Sequence, residues 1–270
     1  MKKVLFVGNS HLGAIRRGWS ETPAAWDGWE ADFFALPSTH FLSAELHGDG
    51  LFGVGHLGMS AKPAKKWAQR INEKTDVSYQ GADLIVHVGA NLMANQIFPI
   101  LSKYSIDGFL ESGATKRMSK DAFETFCIAV AKSNSEFGGW DSTETPQIIA
   151  PKPRHIETAL DQFDRFMYDD NLRDLCKKSD LLSRVYDLFE DIYERQAQAA
   201  AWKFVRQPAN TITELGLTAP KYASGAKILV GDDTAQSDFG HMNSEYGGQM
   251  LNAIYAAMSE HISNSSVTAA

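Results

Sequence analysis

Ser10 lies three residues after the apolar run Val4–Val7, in the stretch VLFVGNSHLGAI. A serine hydroxyl becomes a nucleophile when a base accepts its proton, a third group orients that base and nearby donors bind the oxyanion. The stretch SDFGHMNSEYGG offers a base, His241, and a carboxylate, Asp238, three positions before it. A turn in this Gly-containing stretch can bring both side chains to one point. These residue types predict a nucleophilic serine with its base and an orienting carboxylate.

Other roles for these residues follow from simpler considerations. A dinucleotide site needs GxGxxG, whereas the turn 8–13 reads GNSHLG and lacks the middle glycine. A phosphate-binding P-loop needs Lys and then Ser or Thr after Gly13, where the chain has Ala and Ile. These two nucleotide interpretations therefore fail. Ser10 as a helix cap, and Asp238 with His241 as an ordinary loop pair, stay open as alternatives.

The pattern of apolar residues predicts the elements that position this chemistry. Strands alternate with helices, which is typical of a parallel sheet covered on both faces. We therefore predict an α/β fold, a three-layer α/β/α sandwich with a mainly parallel five-stranded sheet. One domain, 1–263, would carry a helical elaboration at 156–200, and 264–270 would be a disordered tail. The predicted strands are 4–7, 31–37, 82–91, 146–151 and 202–208, and the predicted helices are 11–18, 62–72, 120–132, 156–200 with a break at 178–180, and 246–261.

Two polar residues follow predicted strands of this sheet. Ser10 follows the first strand, and Asn91 follows the nearly all-apolar run ADLIVHVGA. Ligands of parallel sheets bind beyond the carboxyl ends of the strands. Both side chains are therefore expected at one edge of the sheet, and the Gly- and His-rich segment 47–58 is expected to form a loop or hairpin.

Three short blocks resemble the SGNH hydrolases, also called GDSL-type esterases and lipases. They are Gly8-Asn9-Ser10 after the first strand, Gly89-Ala90-Asn91 after the third, and Asp238-Phe239-Gly240-His241 before the last helix. The resemblance implies a flavodoxin-like fold. The chain departs from the family pattern at Asn9 and Leu92, where aspartate is usual, which suggests a divergent branch.

The resemblance also implies a role for each matching residue. Ser10 would be the nucleophile, His241 the general base and then acid, and Asp238 the residue that orients His241. The oxyanion hole would consist of the backbone N–H of Ser10, the side-chain amide of Asn91 and a glycine N–H from the loop after the second strand. Gly58 fits that glycine best by its spacing to the following helix, with Gly55 and Gly53 as close alternatives.

Composition narrows the classes of partner. The formal charge of −7 argues against nucleic acid, and no apolar window is long enough to cross a bilayer. No signal peptide is recognisable, and Cys127 and Cys176 lie in helical patterns as core thiols, so we expect a cytoplasmic protein.

The remaining histidines have simpler predicted roles. His40, His47 and His56 show no HxH or HExxH spacing and are interpreted as loop residues, so that no metal and no organic cofactor is predicted. His87 is expected in the core. His11 is adjacent to Ser10 and is expected to point elsewhere.

The sequence thus predicts a serine esterase that acts through a Ser-His-Asp triad and an acyl-enzyme. A small acyl ester, such as O-acetyl on a carbohydrate, is the substrate class that the resemblance implies. Alternatives are an acyltransferase with the same triad, a non-catalytic carbohydrate-binding or polysaccharide-assembly protein, and a nucleotide-dependent transferase.

Overall fold

The structure, a computed structural model, describes residues 1–22, 26–132, 140, 143–162, 167, 169–226 and 240–267, without the side chains of residues 49 and 260–267. Strands and helices alternate along this part of the chain. Its strands are β1 (Lys2–Gly8), β2 (Trp29–Ala35), β3 (Glu45–His47), β4 (Leu51–Gly53), β5 (Asp76–Ser78), β6 (Leu84–Ala90), β7 (Tyr104–Ile106), β8 (Lys116–Met118), β9 (Gln147–Pro151) and β10 (Lys203–Phe204). Its α-helices are α1 (Leu12–Glu21), α2 (Ser38–Phe41), α3 (Lys62–Asn72), α4 (Phe98–Leu101), α5 (Lys120–Lys132), α6 (Ala159–Gln162), α7 (Asp170–Lys177), α8 (Leu181–Ala199) and α9 (Ser244–Val267).

The central sheet has five strands in the order β2-β1-β6-β9-β10, and each neighbouring pair is parallel. Counted along the chain, these strands have the order 2-1-3-4-5, which is the flavodoxin-like arrangement. The predicted α/β fold class, with its mainly parallel five-stranded sheet, is confirmed. Ligands of such sheets bind beyond the carboxyl ends of the strands at the point where the strand order reverses, which here lies between β1 and β6.

Buried apolar strands explain why the centre of the sheet was predictable. All seven residues of β6 are buried, as are the last five of β1, because helices cover a parallel sheet on both faces. The helices 62–72 and 120–132 have the predicted bounds. The region 156–200 contains α6, α7 and α8, with the predicted break at 178–180 between the last two. The helix predicted before that break is not continuous, because Met167 and Asp169 are not helical. The last strand is shorter than predicted, with two residues in β10.

The segment 47–58 belongs to a small second sheet. Strand β4 pairs antiparallel with β3 and with β5, so the predicted hairpin is present and gains a third strand. Helix α9 continues to Val267, into the segment 264–270 that the sequence predicts as a tail.

Helices α1 and α9 pack closely because glycines lie at their contact. A Cβ on Gly247 would lie 2.0 Å from the carbonyl oxygen of Ala14, and a Cβ on Gly18 would lie 2.6 Å from the backbone nitrogen of Gly248. The two backbones therefore approach to a distance that side chains would prevent. This contact joins the start of the chain to its last helix.

The aromatic residues after α1 belong mainly to the core. Trp26 is 2% exposed, and its ring meets those of Phe6 and Trp19 edge-on or tilted, at centroid distances of 6.1 and 5.2 Å.

Among the described residues, no helix is both long enough and apolar enough to cross a membrane.

Candidate active site

Ser10 and His241 are in contact at the carboxyl end of the sheet, where β1 and β6 lie side by side. The Ser10 Oγ lies 2.8 Å from the His241 Nε2, although the two residues are 231 positions apart. Both are partly exposed. The residue that caps α1 is His11, without a side-chain cap hydrogen bond, so the Ser10 hydroxyl faces the imidazole instead of capping the helix. Proton transfer from the hydroxyl to the ring nitrogen is possible at this distance.

Asn9 fixes the turn that presents Ser10. Its side chain is buried; its Nδ2 donates to the Gly89 carbonyl oxygen at 2.8 Å, and its Oδ1 accepts the N–H of His11 at 3.2 Å. Gly89 has a φ of +95°, and a Cβ there would lie 2.2 Å from the Asn9 Oδ1, so a glycine is required. Asn9 thus connects the end of β1 to the end of β6. The sequence shows Asn9 only as a departure from a family pattern, and its positioning role was missed.

His241 is held by the residues that follow it. Met242 is buried, and its carbonyl oxygen accepts a hydrogen bond from Arg17 on α1 at 3.2 Å. Asn243 caps α9, because its Oδ1 accepts the N–H of Tyr246 at 3.1 Å. The Asn243 amide also donates to the carbonyl oxygens of Lys221 and Ser224, both at 3.0 Å. These contacts hold the backbone next to His241 against both α1 and residues 221–224.

His11 also contacts the base. Its ring stacks on that of His241 with centroids 4.8 Å apart and an interplanar angle of 17°. The expectation that His11 points elsewhere is wrong, because the turn aims residues 10 and 11 toward the start of α9. The stacking restricts the orientation of the His241 ring. The adjacency of His11 to Ser10 was the one sequence signal for this contact.

Asn91 follows β6 at the same end of the sheet. Its Oδ1 accepts the N–H of Met93 at 3.1 Å, and its carbonyl oxygen accepts a hydrogen bond from the Tyr193 hydroxyl at 2.9 Å. The side-chain oxygen is therefore turned toward its own chain. The backbone of Asn91 is at the same time attached to α8, the largest helix of the elaboration at 156–200.

A small cleft begins at Asn91. It is lined by residues 91–95, by Lys152 and Pro153, and by His155 and Tyr186. Desolvation by burial, with the charge of Lys152, lowers the pKa of His155 to about 3. A neutral imidazole therefore faces this cleft near pH 7. None of these cleft residues beyond Asn91 was predicted as part of the site.

The three candidate oxyanion glycines differ in their surroundings. The Gly55 N–H donates to the Asp76 carboxylate at 2.7 Å, which occupies that donor. Gly53 is the last residue of β4 and pairs with Glu45 and Asp76. Gly58 is exposed and precedes a short 3₁₀ helix. A Cβ added to Gly58 would have no other atom within 4 Å. Gly58 therefore remains the candidate for the oxyanion-binding glycine.

Two further predictions concern Asp238 and His87. Asp238 lies outside the described residues. His87 is fully buried as expected, with its Nε2 2.7 Å from the Gln147 Oε1 and its ring stacked on Trp202. Burial lowers the pKa of His87 to about 4, so this imidazole is neutral in the folded protein near pH 7.

The chain was compared with models of protein families, with curated proteins and with solved structures, and no match was found in any of the three. Any function therefore has to be inferred from the residues and their geometry, and the Ser10–His241 contact is the arrangement in the described residues that best supports one.

Proposed function

We propose that this protein is a serine esterase that cleaves a carboxylic ester through an acyl-enzyme. The observation that carries the proposal is the 2.8 Å contact between the Ser10 Oγ and the His241 Nε2. A hydroxyl and an imidazole at this distance form the nucleophile and base of acyl transfer. Their place at the reversal of strand order, where α/β sheets bind ligands, gives independent support.

The proposed reaction has two steps. The Ser10 Oγ attacks the ester carbonyl carbon while its proton passes to the His241 Nε2, and the tetrahedral intermediate then expels the alcohol, which takes that proton. Water attacks the acyl-enzyme in the second step, again with His241 as base, and the acid leaves as Ser10 regains its proton. Asp238 would orient the imidazole.

The oxyanion would be bound at the start of α1. Ser10 lies two residues before this ten-residue helix, whose N-terminus carries a partial positive charge. The Ser10 N–H and the Asn91 side-chain amide are the proposed donors, with the Gly58 N–H as the third. Removal of one such donor typically lowers kcat by about a hundredfold or more.

A small acyl group on a carbohydrate or another small alcohol is the proposed substrate class, without nucleic acid or membrane as partner. A cytoplasmic location is proposed because Cys127 and Cys176 are free thiols. Burial raises the pKa of each to about 12, which makes both unreactive.

The test is turnover of p-nitrophenyl acetate together with labelling by a fluorophosphonate. Wild type should turn over the ester and be labelled on Ser10. Ser10→Ala and His241→Gln should each lower kcat by about a thousandfold or more, without further loss in the double variant, because the two residues act as one unit. Ser20→Ala is the matched control, since Ser20 is an exposed serine on α1 whose hydroxyl donates to the Arg16 carbonyl oxygen. Equal rates for wild type and Ser10→Ala, or labelling that does not depend on Ser10, would refute the proposal.

A further inference from the structure

Two imidazoles and two carboxylates converge on the small sheet β3–β4–β5. Glu45 and His47 are the first and last residues of β3, Asp76 is the first of β5, and His56 lies three residues after β4. The strand pairing brings them together, because Gly53 of β4 lies opposite Glu45 on one side and opposite Asp76 on the other. The two histidines show neither HxH nor HExxH spacing, and Asp76 lies on a different strand, so the sequence does not reveal the cluster.

Two contacts between an imidazole and a carboxylate hold this cluster together. The His47 Nε2 lies 3.1 Å from the Asp76 Oδ1, and the His56 Nε2 lies 2.8 Å from the Glu45 Oε1. One ligand atom from each of His47, His56 and Asp76 lies within 4.8 Å of the others. Ligands about 2.1 Å from a tetrahedral ion are about 3.4 Å apart, so a movement of about 1 Å would let all three bind one ion.

The Asp76 carboxylate is oriented by its neighbours. Its Oδ1 accepts the N–H of Gly55 at 2.7 Å, and its Oδ2 accepts the hydroxyl hydrogen of Thr75 at 2.8 Å. Outer hydrogen bonds of this kind fix the direction of a ligand toward its metal. A Cβ on Gly53 would lie 2.5 Å from the Asp76 Oδ1, and one on Gly55 would lie 1.8 Å from its Oδ2. Both glycines therefore provide the space that this carboxylate occupies.

We propose that His47, His56 and Asp76 bind a divalent transition-metal ion of the Zn²⁺ type, with the Glu45 carboxylate beside His56. Imidazole binds such an ion through a deprotonated ring nitrogen, and the carboxylate of Asp76 adds negative charge next to the ion. Imidazole nitrogens select Zn²⁺ and its neighbours, whereas Mg²⁺ and Ca²⁺ prefer oxygen ligands alone. The side chains of His47, Asp76 and His56 are 18%, 19% and 29% exposed, so an ion can reach them from solvent.

A bound ion would join three separate segments of the chain. It would connect β3 and β5 to the loop after β4, whose Gly55 carbonyl oxygen already accepts a hydrogen bond from Lys65 of α3 at 2.7 Å. This loop leads to Gly58. The metal would thus hold the backbone that precedes the proposed oxyanion glycine, although the site itself does not depend on the proposed esterase function.

The test is titration of the chelator-treated full chain with ZnCl₂, followed by calorimetry and by thermal unfolding. We expect one Zn²⁺ per chain and a higher Tm with Zn²⁺, because an ion that binds only the folded state stabilises it. Asp76→Asn and His56→Ala should each weaken Zn²⁺ binding by more than about tenfold. Co²⁺ bound at the same site should give visible absorption that both substitutions abolish. MgCl₂ should give no comparable heat or Tm increase.

Two further variants separate this site from other histidines and from the proposed esterase. His40→Ala removes a partly exposed histidine of α2 outside the cluster and should bind Zn²⁺ like wild type. Ser10→Ala should also bind Zn²⁺ unchanged, whether or not it lowers ester turnover. Absence of Zn²⁺ binding by wild type, or equal binding by wild type and a correctly folded His56→Ala, as judged by circular dichroism, would overturn the proposal. Equal binding of Mg²⁺ would do the same.

Discussion

The contact between α1 and α9 predicts opposite outcomes for two neighbouring glycines. In Gly247→Ala the new Cβ would lie 2.0 Å from the Ala14 carbonyl oxygen and 2.5 Å from its carbon, which are backbone atoms. In Gly248→Ala the nearest atom would be the Thr22 Oγ1 at 3.8 Å, an ordinary contact. Gly247→Ala therefore has to move α1 away from α9 by about 1 Å or more, whereas Gly248→Ala moves nothing.

The free energies of the two variants follow from this difference. Alanine in place of a helical glycine stabilises a helix by about 0.5–1 kcal/mol, and both variants gain this. Overpacking of a tight contact costs about 1–3 kcal/mol. Gly248→Ala should thus be slightly more stable than wild type. Gly247→Ala should be less stable than Gly248→Ala by about 1–3 kcal/mol, which isolates the cost of the clash.

The separation of α1 from α9 in Gly247→Ala should also change the geometry of the active site. Helix α1 starts two residues after Ser10, and α9 starts three residues after His241, so separating the helices lengthens the 2.8 Å contact. A misplacement of about 1 Å can lower a rate about a hundredfold. Urea unfolding measures the free energies, and ester turnover and fluorophosphonate labelling measure the site. If Gly247→Ala is as stable as Gly248→Ala, the close approach of the helices is refuted. If Gly247→Ala is less stable but as active, this contact does not position the nucleophile.

Two other predictions concern the residues beneath the site. His87 is buried and neutral, with a pKa of about 4 in the folded chain against its ordinary 6.5, so the stability it contributes is complete above pH 6.5 and is lost as the pH falls toward 4. Between pH 7 and pH 5 the free energy of unfolding should fall by about 2 kcal/mol more in wild type than in His87→Gln, and an equal fall in urea titrations would contradict the low pKa. Asn9→Ala removes the buried donor to the Gly89 carbonyl oxygen, so we expect a loss of about 1–3 kcal/mol in urea unfolding and slower ester turnover, whereas unchanged turnover would mean that Asn9 does not position Ser10.

The central sheet could be predicted because its strands carry their own signal. Strand β6 is buried along its whole length, and only an apolar run is compatible with that position. The end strand β10 has weaker support, since the Val205 N–H still bonds to Ile149 but Pro208 has no N–H to continue the pairing. The break between α7 and α8 was visible as an interruption of helical spacing.

The residue types alone suggested that Ser10 and His241 form a pair. The distance between the Ser10 Oγ and the His241 Nε2 depends on the contact between α1 and α9 described above. The stacking of His11 and the anchoring by Asn9 could not be predicted, because both depend on how the turn after β1 meets β6 and α9. The cluster of His47, His56 and Asp76 depends in the same way on the pairing of β4 with β5. Its members are separated by up to 29 residues, and no local spacing reports such a pairing.

The glycines of the loop after β4 illustrate how packing assigns roles that residue type leaves open. By spacing, the sequence favours Gly58 as the donor to an oxyanion, with Gly55 and Gly53 as close alternatives. The Asp76 carboxylate fills the space beside Gly53 and Gly55, so both positions need a glycine whether or not an ester is bound. Gly58 has open space at its Cβ and a φ of −70°, so neither packing nor backbone conformation requires a glycine there. A requirement for glycine at position 58 would therefore have to come from a ligand, which is what an oxyanion donor beside a substrate would impose.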